Sequence, residues 1–337
     1  MGKKIILGLS GGVDSAVAAH LLKEEGWDVT GAFLVTGCDD GSDAERTAEQ
    51  LGIDFIRIDV RKELKELVQE PFASAYLRGE TPNPCIMCNP AVKFPALIKA
   101  ADLLGAKFVA TGHYARTLQT PGGVKLLRGR AENDQSYMLS SLRREQLERV
   151  IFPLGEYNKS EVRSLAEKAG LSVAAKPDSM EICFVPDGDY AAFIERMKGK
   201  LPEGDFVDAE GNVLGRHKGI HRYTVGQRRG LGIALGKRVF VSKIDGENNR
   251  VVLSDGEDVF VKELILPEVN WISIAPPEKA FSCTVRVRHS KTESAAVAEV
   301  CGESVKLRFE SSVRAPTAGQ SAVLYDGDTV LAAGVIC

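Results

Sequence analysis

Two of the seven cysteines stand close enough in the sequence to act together. Cys85 and Cys88 form a Cys-x-x-Cys pair, whereas the other five are scattered along the chain. An odd, scattered set argues against a disulfide framework, so metal or redox chemistry is the better expectation for the pair. The thiolate is the reactive form of cysteine, and it needs an exposed and polarised setting. Cys88 follows a proline-rich loop that we expect to be rigid and exposed.

A glycine turn near the start of the chain is suited to hold a phosphate. It comprises Ser10, Gly11, Gly12, Val13, Asp14 and Ser15. Glycine lets the backbone approach an anion without a Cβ in the way, and the N–H groups that begin a helix supply donors and a positive dipole end. Ser10 and Ser15 add hydroxyl donors, and Asp14 suits a Mg²⁺ ion between its carboxylate and the phosphates. The turn has neither the Lys-Ser/Thr ending of a Walker A loop nor a GxGxxG pattern, and a plain glycine turn before a helix is the alternative.

Apolar periodicity predicts the elements that position these groups. Short apolar runs predict strands at 3–9, 29–35, 55–60 and 107–111, and helical spacing predicts helices at 13–25, 43–51, 63–77, 92–104, 134–148 and 159–169. Strands that alternate with helices are typical of an α/β fold with an open, doubly wound parallel sheet. Gly112 and His113 follow the fourth strand, at the carboxyl end of the sheet, where such folds bind ligands.

The sequence changes character after about residue 202. Short valine- and leucine-rich runs, separated by turn residues, predict two small β-barrels, and Pro267, Pro276 and Pro277 indicate a break between them. We therefore expect three domains, at 1–202, 203–266 and 267–337. No apolar run reaches the roughly 18 residues that a membrane-spanning helix needs, and no signal peptide is evident, so we expect no membrane contact and a cytoplasmic location.

Charge is distributed unevenly along the chain. The formal net charge is −3, yet residues 216–250 hold nine lysines and arginines against two acids, Asp245 and Glu247. Such asymmetry indicates an anionic partner, and a solvated basic face is the alternative on charge alone.

Several motifs together resemble one enzyme family. The run 10–15 resembles the PP-loop of the ATP pyrophosphatases, which implies a Rossmann-like PP-loop domain that cleaves ATP to AMP and diphosphate. Over nearly its full length the chain also resembles the tRNA-specific 2-thiouridylases. The strings that carry this resemblance are TPNPCIMCN at 81–89 with Lys93 and Phe94, ATGHYAR at 110–116, NDQSY at 133–137, Asp178-Ser179 with ICF at 182–184, RYTVGQRRGLG at 222–232 and PTAGQSAV at 316–323.

The resemblance implies the reaction and the partners. The family thiolates the C2 position of the wobble uridine in tRNAs for Lys, Glu and Gln, after ATP adenylates the C2 oxygen. It implies Cys88 as the nucleophile and Cys183 as the carrier of a persulfide. It also implies ATP and Mg²⁺ as cofactors, and as partners tRNA and a sulfur-donor protein such as a cysteine desulfurase or sulfur relay. We expect a monomer.

The resemblance also assigns binding residues. Those implied for ATP are Gly8, Leu9, Ser10, Gly11, Gly12, Val13, Asp14, Ser15, Leu34 and Gly112. Those implied for the target base are Asn83, Pro84 and Cys85, and those for the rest of the tRNA are His113, Asn133, Asp134, Gln135, Arg288, His289 and Gln320. The basic stretch 216–250 fits phosphate contacts, with Tyr223 available for base stacking. His289 stands where the family usually has Tyr, and histidine also stacks on bases.

One departure leaves the sulfur route open. The family usually has Asp where this chain has Cys85, which puts an acidic role there in doubt. Cys85, Cys88 and Cys183 match the count of thiolates that holds a [4Fe–4S] cluster with one open iron, so cluster-bound sulfide is the alternative to a persulfide. A zinc site is less expected because no fourth ligand is evident. Two further alternatives are a PP-loop ligase for a small molecule and a tRNA-binding protein without catalysis.

Overall fold

The computed structural model describes residues 3–130, 132–177, 182–233, 235–290 and 292–337. The strands are β1 (Lys3–Gly8), β2 (Trp27–Val35), β3 (Asp54–Asp59), β4 (Phe108–Thr111), β5 (Ala115–Thr120), β6 (Gly123–Arg128), β7 (Val150–Ile151), β8 (Gly204–Val207), β9 (Val213–His217), β10 (Phe240–Asp245), β11 (Arg250–Ser254), β12 (Phe260–Leu266), β13 (Phe281–Arg286), β14 (Ser294–Cys301), β15 (Ser304–Arg314), β16 (Ser321–Asp326) and β17 (Thr329–Val335).

The helices lie mainly in the first part of the chain. They are α1 (Val13–Glu24), α2 (Ser42–Leu51), α3 (Arg61–Leu64), α4 (Glu70–Leu77), α5 (Pro84–Cys88), α6 (Phe94–Leu104), α7 (Ser136–Leu139), α8 (Arg144–Leu147), α9 (Lys159–Lys168) and α10 (Tyr190–Lys198). Two π-helical turns, Lys65–Gln69 and Asn89–Lys93, and a 3₁₀ turn, Ile220–Arg222, complete the set. Among the helices so described, none is long and apolar enough to cross a membrane.

A parallel sheet forms the centre of the first unit, as predicted. Its strand order is β3-β2-β1-β4-β7, and every neighbouring pair is parallel. Ile5 and Leu7 of β1 pack with α1 and α9 on one face, whereas Ile6 packs with α6 on the other. Because both faces are covered, the strand is apolar and buried from Ile5 to Leu7 after its two exposed lysines, which is why a continuous apolar run predicted it.

Two predicted helices contain breaks at prolines. The helix predicted at 63–77 runs through the π turn Lys65–Gln69 just before Pro71, and the one at 92–104 begins within the π turn Asn89–Lys93, which holds Pro90. Proline lacks the N–H that the regular helical bond requires, so the chain widens locally. The single helix predicted at 134–148 is wrong: α7 and α8 are separated by a turn, and Arg143 before α8 is extended.

Barrel-like β units follow, as predicted. The second unit has the sheet order β10-β11-β8-β9, around a core that includes Phe206, Tyr223 and Val241. The third sheet has the order β12-β15-β14-β13-β16-β17-β6-β5. Its last two members, the hairpin β5–β6, come from the first part of the chain and join at Leu127 opposite Thr329. The sequence analysis missed this hairpin, and the domain limits at 202 and 267 stay a prediction.

The three units meet at Thr81, between α4 and α5. The Thr81 N–H donates to the Ala318 carbonyl at 2.8 Å, and Gln320 Nε2 donates to the Thr81 carbonyl at 2.6 Å. The Thr81 hydroxyl donates to the Thr224 hydroxyl at 3.2 Å. Thr81 is thus bonded to both β units at once, four residues before Cys85.

Candidate functional site

The glycine turn forms an open cradle between β1 and α1. The Ser10 N–H donates to Ser15 Oγ at 3.1 Å, and Ser15 Oγ donates to the Gly12 carbonyl at 3.1 Å. Gly11 has φ +75°, and a Cβ there would lie 3.0 Å from both the Asp43 Cβ and the Ala44 nitrogen, so the position requires glycine. No side chain in the described ranges caps α1 at Gly12. The first N–H groups of α1 are therefore available to an anion.

Asp14, in the first turn of α1, is bonded to two side chains from distant segments. The Tyr114 hydroxyl donates to Asp14 Oδ1 at 2.6 Å, and Lys159 Nζ lies 2.7 and 2.8 Å from the two carboxylate oxygens. Both oxygens thus already have a partner, and each carboxylate oxygen can accept more than one contact, so a Mg²⁺ ion would share Asp14 with Tyr114 and Lys159. The Mg²⁺ ion stays a prediction. The sequence analysis missed Lys159, whose one signal is its place directly after the helix-capping Asn158.

A second lysine, Lys176, fastens the turn to α2. Its Nζ donates to the Gly11 carbonyl at 3.1 Å and to Asp43 Oδ2 at 2.6 Å. The Lys176 ammonium lowers the pKa of Asp43 through this hydrogen bond and the accompanying charge attraction. Lys176 was also missed, because nothing in the sequence relates it to residue 11.

Gly112 and Leu34 lie near the same carboxyl edge of the sheet. A Cβ at residue 112 would come 2.8 Å from Asp14 C and Ser15 N, so Gly112 lets the end of β4 pack on the first turn of α1. Leu34, near the end of β2, packs against two hydrophobic clusters, one of which also contacts Cys88. Leu34 therefore lies between the core of the sheet and the cluster that contacts Cys88, and its contact with ATP stays a prediction.

The segment predicted to meet the target base is held by its own cap. Asn83 Oδ1 accepts from the N–H groups of Cys85 at 3.1 Å and Ile86 at 3.3 Å, and Pro84 occupies the first turn of α5, where its missing N–H costs nothing. Cys85 is exposed and Cys88 is half-buried. The loop is thus ordered by Asn83 while the first thiol of the pair faces solvent.

Cys183 comes close to this pair. Cys88 and Ile182 both pack against a cluster that contains Phe72, Val92 and Phe184. Cys183 is exposed at the surface, yet the surrounding protein desolvates its thiol and raises the pKa to about 11, with smaller contributions in the same direction from Cys88, Cys85 and Cys38. Cys183 therefore lies close enough to Cys88 and Cys85 for their charges to affect its pKa, and the roles of these cysteines in sulfur transfer stay a prediction. The motif residues Asp178 and Ser179 lie outside the described residues.

The charge of Lys93 acts on both Cys88 and Cys183. Burial raises the pKa of Cys88, and the charge of Lys93 acts in the opposite direction there and at Cys183. Because the thiolate is the nucleophile, this ammonium favours the reactive form of each cysteine. In the sequence, Lys93 is marked only by its place after the motif at 81–89.

The three cysteines are not placed to share one metal ion in the described structure. Across the described residues, which include all three, no group of three or more His, Cys, Asp or Glu side chains is placed to hold a metal ion. This finding concerns a single metal ion, and a [4Fe–4S] cluster on Cys85, Cys88 and Cys183 stays the alternative to a persulfide.

Residues predicted to bind tRNA are in part bonded within the protein. Gln135 Oε1 accepts from the Tyr114 N–H at 3.0 Å, and Asp134 accepts from Ser136 and pairs with Arg286 at 3.0 Å. Asn133 lies beside them, and its Nδ2 is buried without a hydrogen-bond partner in the described structure. These side chains order the junction between the first and third units, and their contact with tRNA stays a prediction.

The remaining predicted contacts lie around this junction. Arg288 donates to the carbonyls of Arg314 and Ala315, the His289 ring centre is 5.8 Å from that of Tyr137, and Gln320 is bonded to Thr81. His113 is enclosed by Phe94 and Phe152, and its Nδ1 lies 2.7 Å from Thr111 Oγ1. Burial, with Lys93 adding to it, lowers the pKa of His113 well below its usual value, so the imidazole is neutral.

The suggestion that Tyr223 stacks on a base is wrong. Tyr223 is 5% exposed and packs edge-on to Phe206 and His217 inside the second unit. Its position in a basic stretch resembled a nucleic-acid motif, but the 3₁₀ turn before it directs the ring into the core. In the same stretch Arg216 pairs with Asp205 and Arg222 with Glu195.

Comparisons with known proteins agree with this architecture. Family models match residues 3–187 (tRNA methyl transferase HUP domain), 191–255 (tRNA methyl transferase PRC-barrel domain) and 261–336 (Aminomethyltransferase beta-barrel domain). The NMN synthetase from Francisella tularensis aligns over 60% of this chain and 79% of its own, at 20% identity and a TM-score of 0.35, which carries no argument.

Curated relatives match along the whole chain. The tRNA-specific 2-thiouridylase MnmA of Clostridioides difficile is 44% identical over 355 residues, which cover 100% of this chain and 98% of the relative. The protein of that name from Clostridium acetobutylicum is 43% identical over 354 residues and covers 100% of both. With identity of this extent over all three units, the chain belongs to the family of tRNA-specific 2-thiouridylases.

Proposed function

We propose that this chain is an ATP-dependent tRNA-uridine 2-sulfurtransferase that acts on the wobble uridine of tRNAs for Lys, Glu and Gln. The observation that carries the proposal is the proximity of Cys88 and Cys183: Cys88, Leu34 and Ile182 pack against one cluster, Cys183 directly follows Ile182, and the charge of Cys88 raises the pKa of Cys183. Leu34 lies near the end of β2, at the carboxyl edge of the sheet. The anion cradle of Ser10 to Ser15 lies at that edge. Parallel folds bind their ligands there, so nucleotide and thiols belong to one site.

The sulfur route we propose uses a persulfide on Cys183. The C2 oxygen of uridine attacks the α-phosphorus of ATP and releases diphosphate. The terminal sulfur of the persulfide then attacks C2, and AMP departs with the oxygen. Cys88 thiolate attacks the Sγ of Cys183, which breaks the S–S bond, leaves sulfur on the base and forms a Cys88–Cys183 disulfide. A cellular dithiol supplies the two electrons that reduce it.

The protein groups divide this work. The uncapped N–H groups of α1, with Ser10 and Ser15, bind phosphate oxygens, and Lys159 stands ready to neutralise their charge. Asn83 fixes the helix that presents Cys85 and Cys88. Mg²⁺ would screen the phosphate charges when bound, and Asp14 would offer it a carboxylate once Lys159 turns to the phosphates.

The first test separates this reaction from two alternatives. Diphosphate release from ATP is measured with and without added tRNA, and the tRNA nucleosides are then analysed by mass spectrometry. We expect release that depends on tRNA, together with 2-thiouridine. ATP cleavage that needs no RNA would instead support a small-molecule ligase. A methylated nucleoside without sulfur would support the methyl transfer that the family-model descriptions mention.

The second test addresses the cysteines. We expect Cys183→Ser to abolish thiolation while tRNA affinity stays within a few fold, because the thiol carries sulfur and contributes little binding. Cys301→Ser, an exposed cysteine of β14, is the matched control and retains activity. Normal thiolation by Cys183→Ser would overturn the persulfide route, and stoichiometric iron in anaerobically purified protein would support cluster-bound sulfide instead.

The proposal extends to partners and location. A persulfide must be loaded by a sulfur donor, so a cysteine desulfurase or a sulfur-relay protein is the expected partner. We propose that the enzyme acts as a monomer in the cytoplasm, where its tRNA substrates occur.

A further inference from the structure

An open groove of about 990 Å³ lies between the second and third units. Arg228 and Arg229 line it from the loop before β10, and Arg314 lines it from the end of β15. Phe240 and Phe260, at the starts of β10 and β12, also line the groove. None of these five residues is among the binding positions that the family resemblance assigns.

The arginines of the groove differ from their neighbours in having no internal partner. Arg228 and Arg229 are exposed, and the described structure gives neither side chain a hydrogen bond or ion pair, in contrast to the paired Arg216 and Arg222. Asp255 and Glu257 on the opposite side offset part of their charge. An unpaired guanidinium presents five donors in a rigid fork that suits a phosphate. Two exposed cations of the basic stretch, Arg228 and Arg229, therefore face this groove without a partner in the described structure.

Aromatic rings stand among these cations. Phe260 is 49% exposed, although a large apolar ring is normally covered. The Arg314 guanidinium lies 5.0 Å from the Phe240 ring centre, which holds it over that side of the groove. Arginines interleaved with exposed rings are the combination that binds unpaired nucleic-acid strands, with phosphates on the cations and a base on the ring.

The groove begins close to the sulfur site. Gly226, which also lines it, is two residues from Thr224, whose hydroxyl accepts from Thr81 at 3.2 Å. Thr81 is two residues before the Asn83–Cys88 segment. At the other side Arg314 adjoins Arg288, whose guanidinium donates to the Arg314 carbonyl at 3.4 Å. Thr81 and Thr224 thus connect the segment of Cys88 to the groove. An RNA strand whose target nucleotide reaches Cys88 can continue along this connection into the groove.

We infer that this groove binds the unpaired tRNA strand adjoining the target uridine, with phosphates on Arg228, Arg229 and Arg314 and one base stacked on Phe260. The inference rests on the proposed function, because it places the same RNA. Phe260, which lies outside the basic stretch 216–250, takes the stacking role suggested for Tyr223, because the Tyr223 ring is buried.

The binding test compares two double variants of equal charge change. Arg228→Gln/Arg229→Gln removes the groove cations, and Lys62→Gln/Lys168→Gln removes two exposed lysines from the first unit. We expect the groove variant to weaken tRNA binding by about tenfold or more at physiological salt, and the slope of log affinity against log salt to fall by roughly one to two. The lysine variant stays within about twofold. Equal affinities of the two variants would overturn the inference.

Stacking is tested separately at Phe260. We expect Phe260→Ala to weaken tRNA binding by roughly fivefold or more, and Phe260→Trp to retain it, because any aromatic face can stack. Thermal midpoints of both variants are measured as a check, since Phe260 is half exposed and outside the core. Equal loss in the alanine and tryptophan variants would contradict stacking.

Two outcomes separate this inference from the proposed function. If the wild-type protein shows no tRNA-dependent diphosphate release, the proposed function fails. If wild type thiolates tRNA and the groove variants bind tRNA as tightly as wild type, only the groove assignment fails. A groove variant that binds tRNA normally and uses inorganic sulfide, but no longer accepts sulfur from a donor protein, would reassign the surface to that protein and overturn the RNA assignment.

Discussion

Asp14 illustrates how one side chain in a ligand-binding turn is prepared before its ligand arrives. Its carboxylate would repel a triphosphate, but Lys159 Nζ at 2.7 Å neutralises it and the Tyr114 hydroxyl orients it. Lys159 is 26% and Asp14 31% exposed, so the pair itself contributes at most about 1 kcal/mol to folding. The larger consequence concerns phosphate binding, because a lysine at this distance can turn from the carboxylate to an incoming phosphate.

Replacement of Lys159 tests this role. We expect Lys159→Met to raise KM for ATP and to lower tRNA-dependent diphosphate release by about tenfold or more, with the thermal midpoint nearly unchanged, because the lost pair is partly solvated. Lys159→Arg keeps the charge and recovers a substantial part of the activity. Steady-state kinetics and thermal unfolding measure both effects. Wild-type kinetics in the methionine variant would show that the lysine serves Asp14 alone.

The thiols give a prediction about pH. Burial raises the pKa of Cys183 to about 11, so at neutral pH its thiolate fraction is small and rises with pH. We expect alkylation of Cys183 by iodoacetamide to accelerate steadily from neutral to strongly alkaline pH, as followed by mass spectrometry of its peptide. Lys93→Met removes a cation that lowers the pKa of Cys183, so alkylation at any given pH becomes slower. A rate that levels off near neutral pH would contradict the raised pKa.

At the scale of secondary-structure elements, the contacts between distant segments explain more of the site than the helices and strands themselves do. The backbone of Thr81 is bonded to Ala318 and Gln320, and Gly319 between them has φ +86°. A Cβ at 319 would lie 3.0 Å from Thr81 N and 3.1 Å from Pro82 N. The third unit can therefore approach the loop before Cys85 only because residue 319 has no side chain.

Gly319 provides a test of this joint. We expect Gly319→Ala to lower the free energy of unfolding by about 1–3 kcal/mol and to reduce thiolation, because left-handed backbone strain adds to a clash with Thr81. Gly302→Ala is the matched control: its φ is +65°, but nothing lies within 4 Å of a Cβ there. Denaturant unfolding and thiolation are measured for both. Equal effects in the two variants would show that backbone strain alone is responsible.

The sequence predicted elements whose residues repeat a local pattern. Strands such as β1 and helices such as α1 were confirmed because burial on both faces, or on one stripe, is written into neighbouring residues. The place of the hairpin β5–β6 in the third sheet was missed because its partner, β17, lies two hundred residues away, whereas its own Pro-Gly-Gly turn at 121–123 was a local signal that went unused. The same reason applies at the site: Ser10 to Ser15 form one local motif, whereas Lys159 and Lys176 reach it from remote positions that no local pattern marks.

At the scale of the whole molecule, buried charge joins the first and third units. Asp134 and Arg286 are 9% and 12% exposed and lie 3.0 Å apart, and Arg286 also bonds Glu293, which Arg128 contacts as well. Both arginines stack on Tyr325, with guanidinium centres 3.8 and 5.1 Å from its ring centre. A charge buried in this way is costly when its partner is removed.

Asp134 is the residue to change in this network. We expect Asp134→Ala to cost about 3–5 kcal/mol of stability, because Arg286 loses a buried partner and Gly129 and Ser136 lose their acceptor. A residue that only contacts tRNA would leave the unfolding midpoint unchanged. Chemical denaturation and tRNA affinity, measured on the same variant, separate the two roles.

The hairpin β5–β6 determines how this chain can be divided. It is covalently part of the nucleotide-binding half, yet it forms the border of the last β sheet beside β17. A fragment that stops at residue 202 would display the unpaired side of β6, and a fragment that starts after 267 would display β17. Unpaired strand borders recruit other chains, so neither half is expected to remain monomeric when produced alone. Insertions or gene fusions that separate the nucleotide-binding part from the third sheet are consequently disfavoured. The two parts are expected to occur together in one chain.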